Sequence, residues 1–482
     1  MLFGLALAVD YSLLMVSRFR EHRASGRSVG EAVEGSVTTS GRTIVFSALT
    51  VTAALTGLFL FGNPTFTSLA VGGIATVLVA LAAGLTLTPA LTAIWGPKIP
   101  LPAVPAAEST GFFWHLAHLV QRRAAVTAAV TSALLVAMAL PFLGAHFSSG
   151  DYRVLPTSVE SRRATDTMVK AFPAMSTEPI EVVVPHPPGR TELAQYVRSL
   201  RTVPGVRVVT RQGLGSSPIA LVEVVPKGAA QGPLARRVVE TVRAVHPGFP
   251  VLVTGSAASL VDFEHQVTSR LPYAMAWIAL MTMLLLFFMT GSVLVPVKAV
   301  VMNVLSLGAT FGALTWVFQQ GHLSSLLHFQ GTGTIEVWVP ILVFVFGFGL
   351  SMDYEVFLLS RIKESFDGSG DTDRAVADGL QRSGRIITSA AVLVGIVFFG
   401  FAAGDNLGIK EMGLALAVAV LVDATLVRCL LVPATMTLLG NANWWAPPVL
   451  RRIHQRFGLH ESPVLVPPVA EEQPHEAITL EV

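Results

Sequence analysis

Apolar residues in this chain arrive in long uninterrupted runs, separated by short polar or basic stretches. A run of about twenty apolar residues matches the thickness of a bilayer core. Nine such segments can be drawn, at 1–17, 43–61, 68–94, 124–146, 271–290, 296–318, 337–360, 387–403 and 412–438. The stretch between the fourth and fifth, 147–270, has a different rhythm. It predicts a helix over 158–172, a strand over 180–184, a helix over 191–201, strands over 206–211 and 219–225, a helix over 233–245 and a strand over 251–254. After the first helix the order is βαββαβ, which predicts a ferredoxin-like α+β unit. The expected fold is therefore a polytopic α-helical membrane protein with one α+β domain inserted among its helices.

The chain also repeats itself. GLALAVDYSLLMVSRFRE, ending at Glu21, aligns with GFGLSMDYEVFLLSRIKE, ending at Glu364, at an offset of 343 positions (353 minus 10). The same offset carries Ser40-Gly41-Arg42 onto Ser383-Gly384-Arg385, Gly57 onto Gly400 and Asn63 onto Asn406; with a slip of one residue, Pro89 falls on Pro433 and Gly96 on Gly440. A register shared over three helices is an internal duplication. Six helices separate the copies, an even number, so both run the same way and the repeats are parallel. The expected organisation is a partial first repeat of three helices at 1–96, a Pro-rich linker at 97–123, the first helix of the second repeat at 124–146, the α+β domain at 147–270, the five remaining helices at 271–440, and an interfacial anchor with a disordered tail at 441–482. Trp444, Trp445 and the basic stretch after them form the anchor; the acidic, Pro-containing 462–482 forms the tail. The second copy is preceded by a helix, the α+β domain and two further helices, and the first by nothing, so the pattern reads as a truncated chain.

Composition sharpens the class. Of 482 residues 52% are hydrophobic and 13% charged, too apolar for a chain that must cover its surface in water. The net charge of +2 matters less than where it lies. Arg18, Arg20, Arg23, Arg27 and Arg42 crowd the first inter-helix loop, and Arg361, Lys363, Arg374, Arg382 and Arg385 the corresponding late one. The positive-inside rule places both in the cytoplasm. Helix parity then places 147–270 outside and the C-terminal tail inside. The single Cys429 excludes disulfide staples and cysteine metal clusters, and the twelve histidines show no ligand spacing. No phosphate-binding loop precedes a Lys-Ser or Lys-Thr, so energy should come from a gradient and no cofactor is expected.

The segments VDYSLLMVSRFRE, SGRTIVFSALT, GLSMDYEVFLLSRIKE, SGRIITSAAVLV and LVDATLVRCLLVPA, with the parallel repeat and the inserted domain, resemble MMPL-type transporters of the RND superfamily from Met1 to about Trp445. The resemblance implies twelve helices and two external porter domains in a complete member, so three helices and one porter domain would be missing here. It also implies proton-driven export of lipids, lipid-linked molecules or hydrophobic drugs across the inner membrane of an actinobacterium-like host. The expected partners are membrane lipids, protons and a hydrophobic or lipid substrate, with an oligomer or accessory membrane proteins left open, and no nucleic acid.

Asp10 and Asp353 are the costly residues, because a carboxylate within a membrane helix needs a reason to be there. A carboxyl group in low-dielectric surroundings exchanges its proton at pH values where an exposed one stays ionised. Neighbours on a helix point about 100° apart, so Tyr11 is poorly aimed at Asp10. The repeat axis instead predicts crossed pairs, Asp10 with Tyr354 and Asp353 with Tyr11, as a proton relay. The same four residues could simply pin two helices together. Ser47 is a candidate to line the relay or a packing serine; Glu355 is either a tuning carboxylate or a group reaching a polar cavity. Asp423 falls opposite the apolar stretch near Val79, so symmetry gives it no coupling role, and a link to Arg428 or another helix is expected. Arg18 and Arg361 read as snorkelling anchors, and Gly72, Gly73, Gly347, Gly349 and Gly413 as close-packing positions. Two other classes compete with this reading: an intramembrane aspartyl protease, opposed by Asp preceding Tyr in both copies, and a non-transporting remnant or a partner of a separate first half.

Overall fold

Polar residues between the apolar runs set the helix starts. In the computed structural model, which describes residues 2–100, 111–150, 152–172, 178–212 and 219–457, α1 (Leu2–Ala24) is followed by a turn and then by α2 (Val29–Thr56). Ser28 and Glu31 close a capping box on α2. After a 3-10 turn, Gly57–Phe61, the side chain of Asn63 caps α3 (Pro64–Trp95), accepting from the Thr65 N–H at 2.9 Å. Next come α4 (Phe112–Arg122) and α5 (Ala124–Ala139). Residues 112–122 were expected in a linker, yet they form an amphipathic helix whose Trp114 N–H donates to Gln381 at 2.9 Å. Residues 101–107 of that linker and the expected tail lie outside the described residues.

The inserted domain begins with β1 (Phe147–Ser148), α6 (Glu160–Ala171), β2 (Ile180–Val184), α7 (Arg190–Arg201), β3 (Val206–Gln212), β4 (Ala220–Pro226), α8 (Pro233–Ala244) and β5 (Leu252–Thr254). The sheet order is β3-β4-β2-β5 with every neighbouring pair antiparallel. Alternate residues of β2 and β4 are buried, so one sheet face carries Val182, Val222 and Val224 into a core shared with Tyr196 and Leu200 of α7 and Val238 and Val242 of α8.

The chain returns through α9 (Ser256–Thr290), α10 (Leu294–Leu314), the short α11 (Ser324–Leu327), β6 (Ile335–Glu336, paired with β1), α12 (Val339–Ser369), α13 (Thr372–Ala402), α14 (Leu407–Val422), α15 (Val432–Leu439) and α16 (Pro448–Phe457). The 35 residues of α9 rise about 52 Å, well beyond a hydrocarbon core of about 30 Å. Its polar first turns, with Asp262, Glu264 and Gln266, hid this stalk from an apolar-run reading that began at 271. Among the described residues, eight helices are long and apolar enough to cross a membrane. The ninth segment of the sequence reading is α1, which packs on α2 and α3 and reaches past Ser17 because charged partners on α12 hold its basic end. The chain is a multi-pass helical membrane protein.

The duplication is visible in the packing. Within the first copy α1, α2 and α3 touch pairwise; within the second, α12, α13 and α14 do the same; between copies α12 meets α2 and α1 meets α13. Asn406 caps α14 as Asn63 caps α3, and Asp371 caps α13 at the position equivalent to Ser28. One difference stands out. Where α3 runs as unbroken α-helix, its mate changes to π-helix over Asp423–Leu431, which takes up one extra residue. This is the one-residue slip in the sequence repeat.

Candidate functional site

The two central helices α1 and α12 bring the Asp-Tyr pairs together. The Tyr354 hydroxyl donates to Asp10 Oδ2 at 3.0 Å. On the other diagonal the contact is indirect: Ser47 of α2 donates to Asp353 Oδ1, and its Oγ lies 3.3 Å from the Tyr11 hydroxyl. Ser47 has one proton to give, so while it donates to the carboxylate it accepts from the phenol. The expected direct Asp353–Tyr11 bond is therefore replaced by a Tyr11–Ser47–Asp353 chain. The reason lies in the sequence. The residue of α13 equivalent to Ser47 is Ala390, so only one diagonal has a bridging hydroxyl. Tyr11, Ser47, Asp353 and Tyr354 are all buried, and a cavity of about 40 Å³ borders them together with Asp10, Leu14, Phe357 and Ala390. That is room for a few waters but not for a substrate. Each aspartate bonds a hydroxyl from an element of the other repeat, and Asp10 Oδ1 and Asp353 Oδ2 have no protein hydrogen-bond partner.

Glu355 and Asp423 belong to a separate group one helix face away. Arg428, fully buried, donates from Nε to Asp423 Oδ2 at 3.0 Å and pairs with Glu355 Oε2 at 3.0 Å. It also reaches the Ser351 carbonyl, and Ser351 Oγ donates to Asp423 Oδ1 at 2.7 Å. Asp423 and Arg428 are five apart, which on an α-helix would set them about 140° from each other at 3.6 residues per turn; the wider π turn puts them on one face. Glu355 thus reaches an arginine rather than a polar cavity, and Asp423 is tied both to Arg428 and to α12. Asn303 and Lys298 of α10 border the cluster: Ser351 bonds Asn303, and the buried Lys298 ammonium, close enough to feel Glu355, has no hydrogen-bond partner among the described residues. Two cations against two carboxylates leave no net charge, which is how buried ions persist. Lys298 and Asn303 were missed, although lone polar residues inside the apolar run 296–318 are themselves a signal.

At the basic-loop end of the same two helices, Arg18 and Arg361 do not snorkel outward. Arg18 pairs with Glu21 at 3.1 Å and Glu364 at 3.2 Å, and Arg361 pairs with Glu21 at 3.0 Å and Glu364 at 3.5 Å. Arg361 is only 2% exposed. Arg18 and Arg361 are repeat mates, as are Glu21 and Glu364, so the four charges form a symmetric closed ring across the α1–α12 seam. Both glutamates end the aligned blocks of the sequence, where the signal was present and unused. Among the glycines, Gly413 sits against the Phe398 carbonyl, too close for a larger residue, Gly349 is in tight contact with the Val51 side chain, and Gly72 faces open space. No described group of His, Cys, Asp and Glu has the geometry to hold a metal ion.

Comparison with known proteins adds the following. The sequence pattern of the MMPL family matches residues 1–127 and 219–466. A membrane protein of Streptomyces coelicolor is 43% identical over 478 residues, covering 97% of this chain and 66% of its own. The trehalose monomycolate exporter MmpL3 of Mycobacterium tuberculosis is 32% identical over 509 residues, covering 95% of this chain and 54% of its own. The chain thus spans only part of these relatives' lengths. Among solved structures, SecDF, a translocon-associated membrane protein from Thermus thermophilus, superposes with a TM-score of 0.55 at 14% identity, over 91% of this chain and 53% of that one. This last likeness concerns the fold alone.

Proposed function

The chain belongs to the MMPL family, and from that premise we propose that it acts in proton-driven export of lipids, lipid-linked molecules or other hydrophobic compounds across the inner membrane, exchanging protons at Asp10, Tyr11, Ser47, Asp353 and Tyr354. The observation that carries the reading is the crossed bonding of α1 and α12, direct from Tyr354 to Asp10 and through Ser47 on the other diagonal. Hydrogen bonds to a carboxylate are roughly twice as strong as those to a neutral group, so protonating Asp10 loosens its hold on Tyr354. A protonated Asp353 becomes a donor, and the Ser47 hydroxyl is then free to turn toward Tyr11. Each protonation state favours a different set of bonds across the seam between the repeats, and that is the differential interaction a rocking motion requires.

In this account the basic loops face the cytoplasm, the βαββαβ unit is an external ferredoxin-like porter domain, and the Arg18–Glu21–Arg361–Glu364 ring closes the cytoplasmic end of the seam. A relative named for exporting trehalose monomycolate supports a lipid as cargo. The test is Asp353→Asn, which keeps the shape and removes the titrating group. It should yield a folded protein without proton-dependent export, and retained export would overturn the reading.

A further inference from the structure

A second cavity lies at the opposite end of the bundle from the basic loops, between the segment from Arg153 to Arg162, residues 324–330 and the start of α14. It measures about 310 Å³, several times the 40 Å³ beside the aspartates and at the lower end of the range for ligand sites, about 300–1,000 Å³. Three cations line it, Arg153, Arg162 and Lys410, with one acid, Asp405, in the lining and a second, Asp166, behind it paired with Arg162. Arg162 and Lys410 are each 6% exposed, so these are built-in charges and not surface side chains leaning over a hollow. Arg162 is held rigid by Asp166 at 2.9 Å and by the carbonyls of Arg153 at 2.8 Å and Leu155 at 3.1 Å.

Lys410 is the informative residue. It stands in the first turn of α14, where the positive end of the helix dipole opposes a cation and favours an anion. Its ammonium has three protons to donate; it gives one to the Leu327 carbonyl at 2.6 Å and has no carboxylate partner among the described residues. Its mate in the first repeat is the neutral Thr67, so the cation is no requirement of the shared fold. The loop that carries Ser324 and Ser325 into the cavity is bracketed by two non-glycine residues with left-handed backbone, Leu323 at φ 60° and His328 at φ 51°, a strain that persists where surroundings fix it. Leu323 and Leu326 of that loop are 46% and 70% exposed, which sets an apolar rim beside the cationic floor.

We propose that this cavity binds the oxyanion headgroup of an amphiphile, a phosphate-class group on the cationic floor with the apolar chain leaving over the leucine rim. Naming the amphiphile as cargo rests on the export reading above; the binding itself does not. The experiment uses the full chain in nanodiscs, with short-chain phosphatidic acid, a neutral short-chain diacylglycerol glucoside and inorganic phosphate as probes. Phosphatidic acid should bind at least about tenfold tighter than the neutral probe, the scale of one charge-assisted contact. Lys410→Gln should remove most of that preference and Lys410→Arg should keep it. Ser325→Asp places a negative charge at an exposed position in the lining, should leave the thermal unfolding of the protein unchanged, and should weaken binding as much. Inorganic phosphate binding as tightly as phosphatidic acid would support the oxyanion site with a free anion as its source. Equal binding of charged and neutral amphiphiles, or a Ser325→Asp protein with unchanged affinity, would overturn the proposal. Because binding needs no proton gradient, Asp353→Asn should bind phosphatidic acid normally, so the two readings fail separately.

Discussion

The two repeats share their frame and differ in their chemistry. In both copies a capped second helix, an Asn-capped third helix and a central helix with Asp-Tyr, Arg and Glu pack in the same way. Among the strictly duplicated groups at the seam, Tyr354 pairs directly with Asp10 and two arginines and two glutamates form a ring across the axis, while Tyr11 and Asp353 do not meet directly. What is not duplicated makes the halves differ, and one such group, Ser47, itself reaches across the axis to Asp353. The first repeat alone has the bridging Ser47. The second alone has Glu355 where the first has Ser12, and Asp423 and Arg428 where α3 offers the apolar stretch from Val79 to Leu85. Symmetry therefore supplies most of the contact between halves, and asymmetry makes the two aspartates inequivalent, one answering to a phenol and the other to a serine.

Breaking the charged cluster should have the largest effect. Arg428→Met leaves Asp423 and Glu355 buried without their cation, and thermal unfolding of the purified protein should show a loss of about 3–5 kcal/mol. The equivalent point of α3 carries no ion, and Gly84→Ala there has only to move Tyr11, whose Cβ would lie 3.2 Å from the new methyl; the cost should stay at or below about 1–3 kcal/mol. Ser47→Ala comes next. It strands one oxygen of Asp353 and the Tyr11 hydroxyl, at about 1–3 kcal/mol, and the same denaturation measurement checks it. Adding Ala390→Ser moves the bridging hydroxyl to the other repeat, where it cannot reach Asp353 and Tyr11 as Ser47 does, so the stability lost in Ser47→Ala should not return. For the ring, a double-mutant cycle of Arg361→Gln with Glu21→Gln should give a coupling on the order of 0.5–3 kcal/mol. The exposed Arg243–Asp262 pair of the sheet domain is the low end of the scale, and Arg243→Gln should cost under about 1 kcal/mol.

Much of the frame was legible because it is written as period and repetition. The apolar runs gave the helices, and short runs rich in β-branched residues gave strands such as Ile180–Val184. The offset of 343, 353 minus 10, singled out α1 and α12 as facing partners. Three things were not legible, each for a physical reason. The stalk of α9 is polar, so hydropathy could not see it. The π segment shows in sequence only as a one-residue slip, and that slip decides that Asp423 and Arg428 share a face. The serine bridge depends on an α2 side chain reaching between two other helices, a tertiary fact that spacing along one helix does not encode.

Asp10 and Asp353 are the groups proposed to exchange protons, and Asp423, locked to Arg428, is not. Infrared difference spectroscopy of the protein in lipid, stepped from acid to alkaline pH, follows the C=O stretch of each protonated carboxyl directly. The account predicts carboxyl bands that bleach as pH rises, one lost in Asp10→Asn and another in Asp353→Asn, with Asp423→Asn leaving both in place. A spectrum without such bands, or bands that survive in both Asp10→Asn and Asp353→Asn, would contradict it.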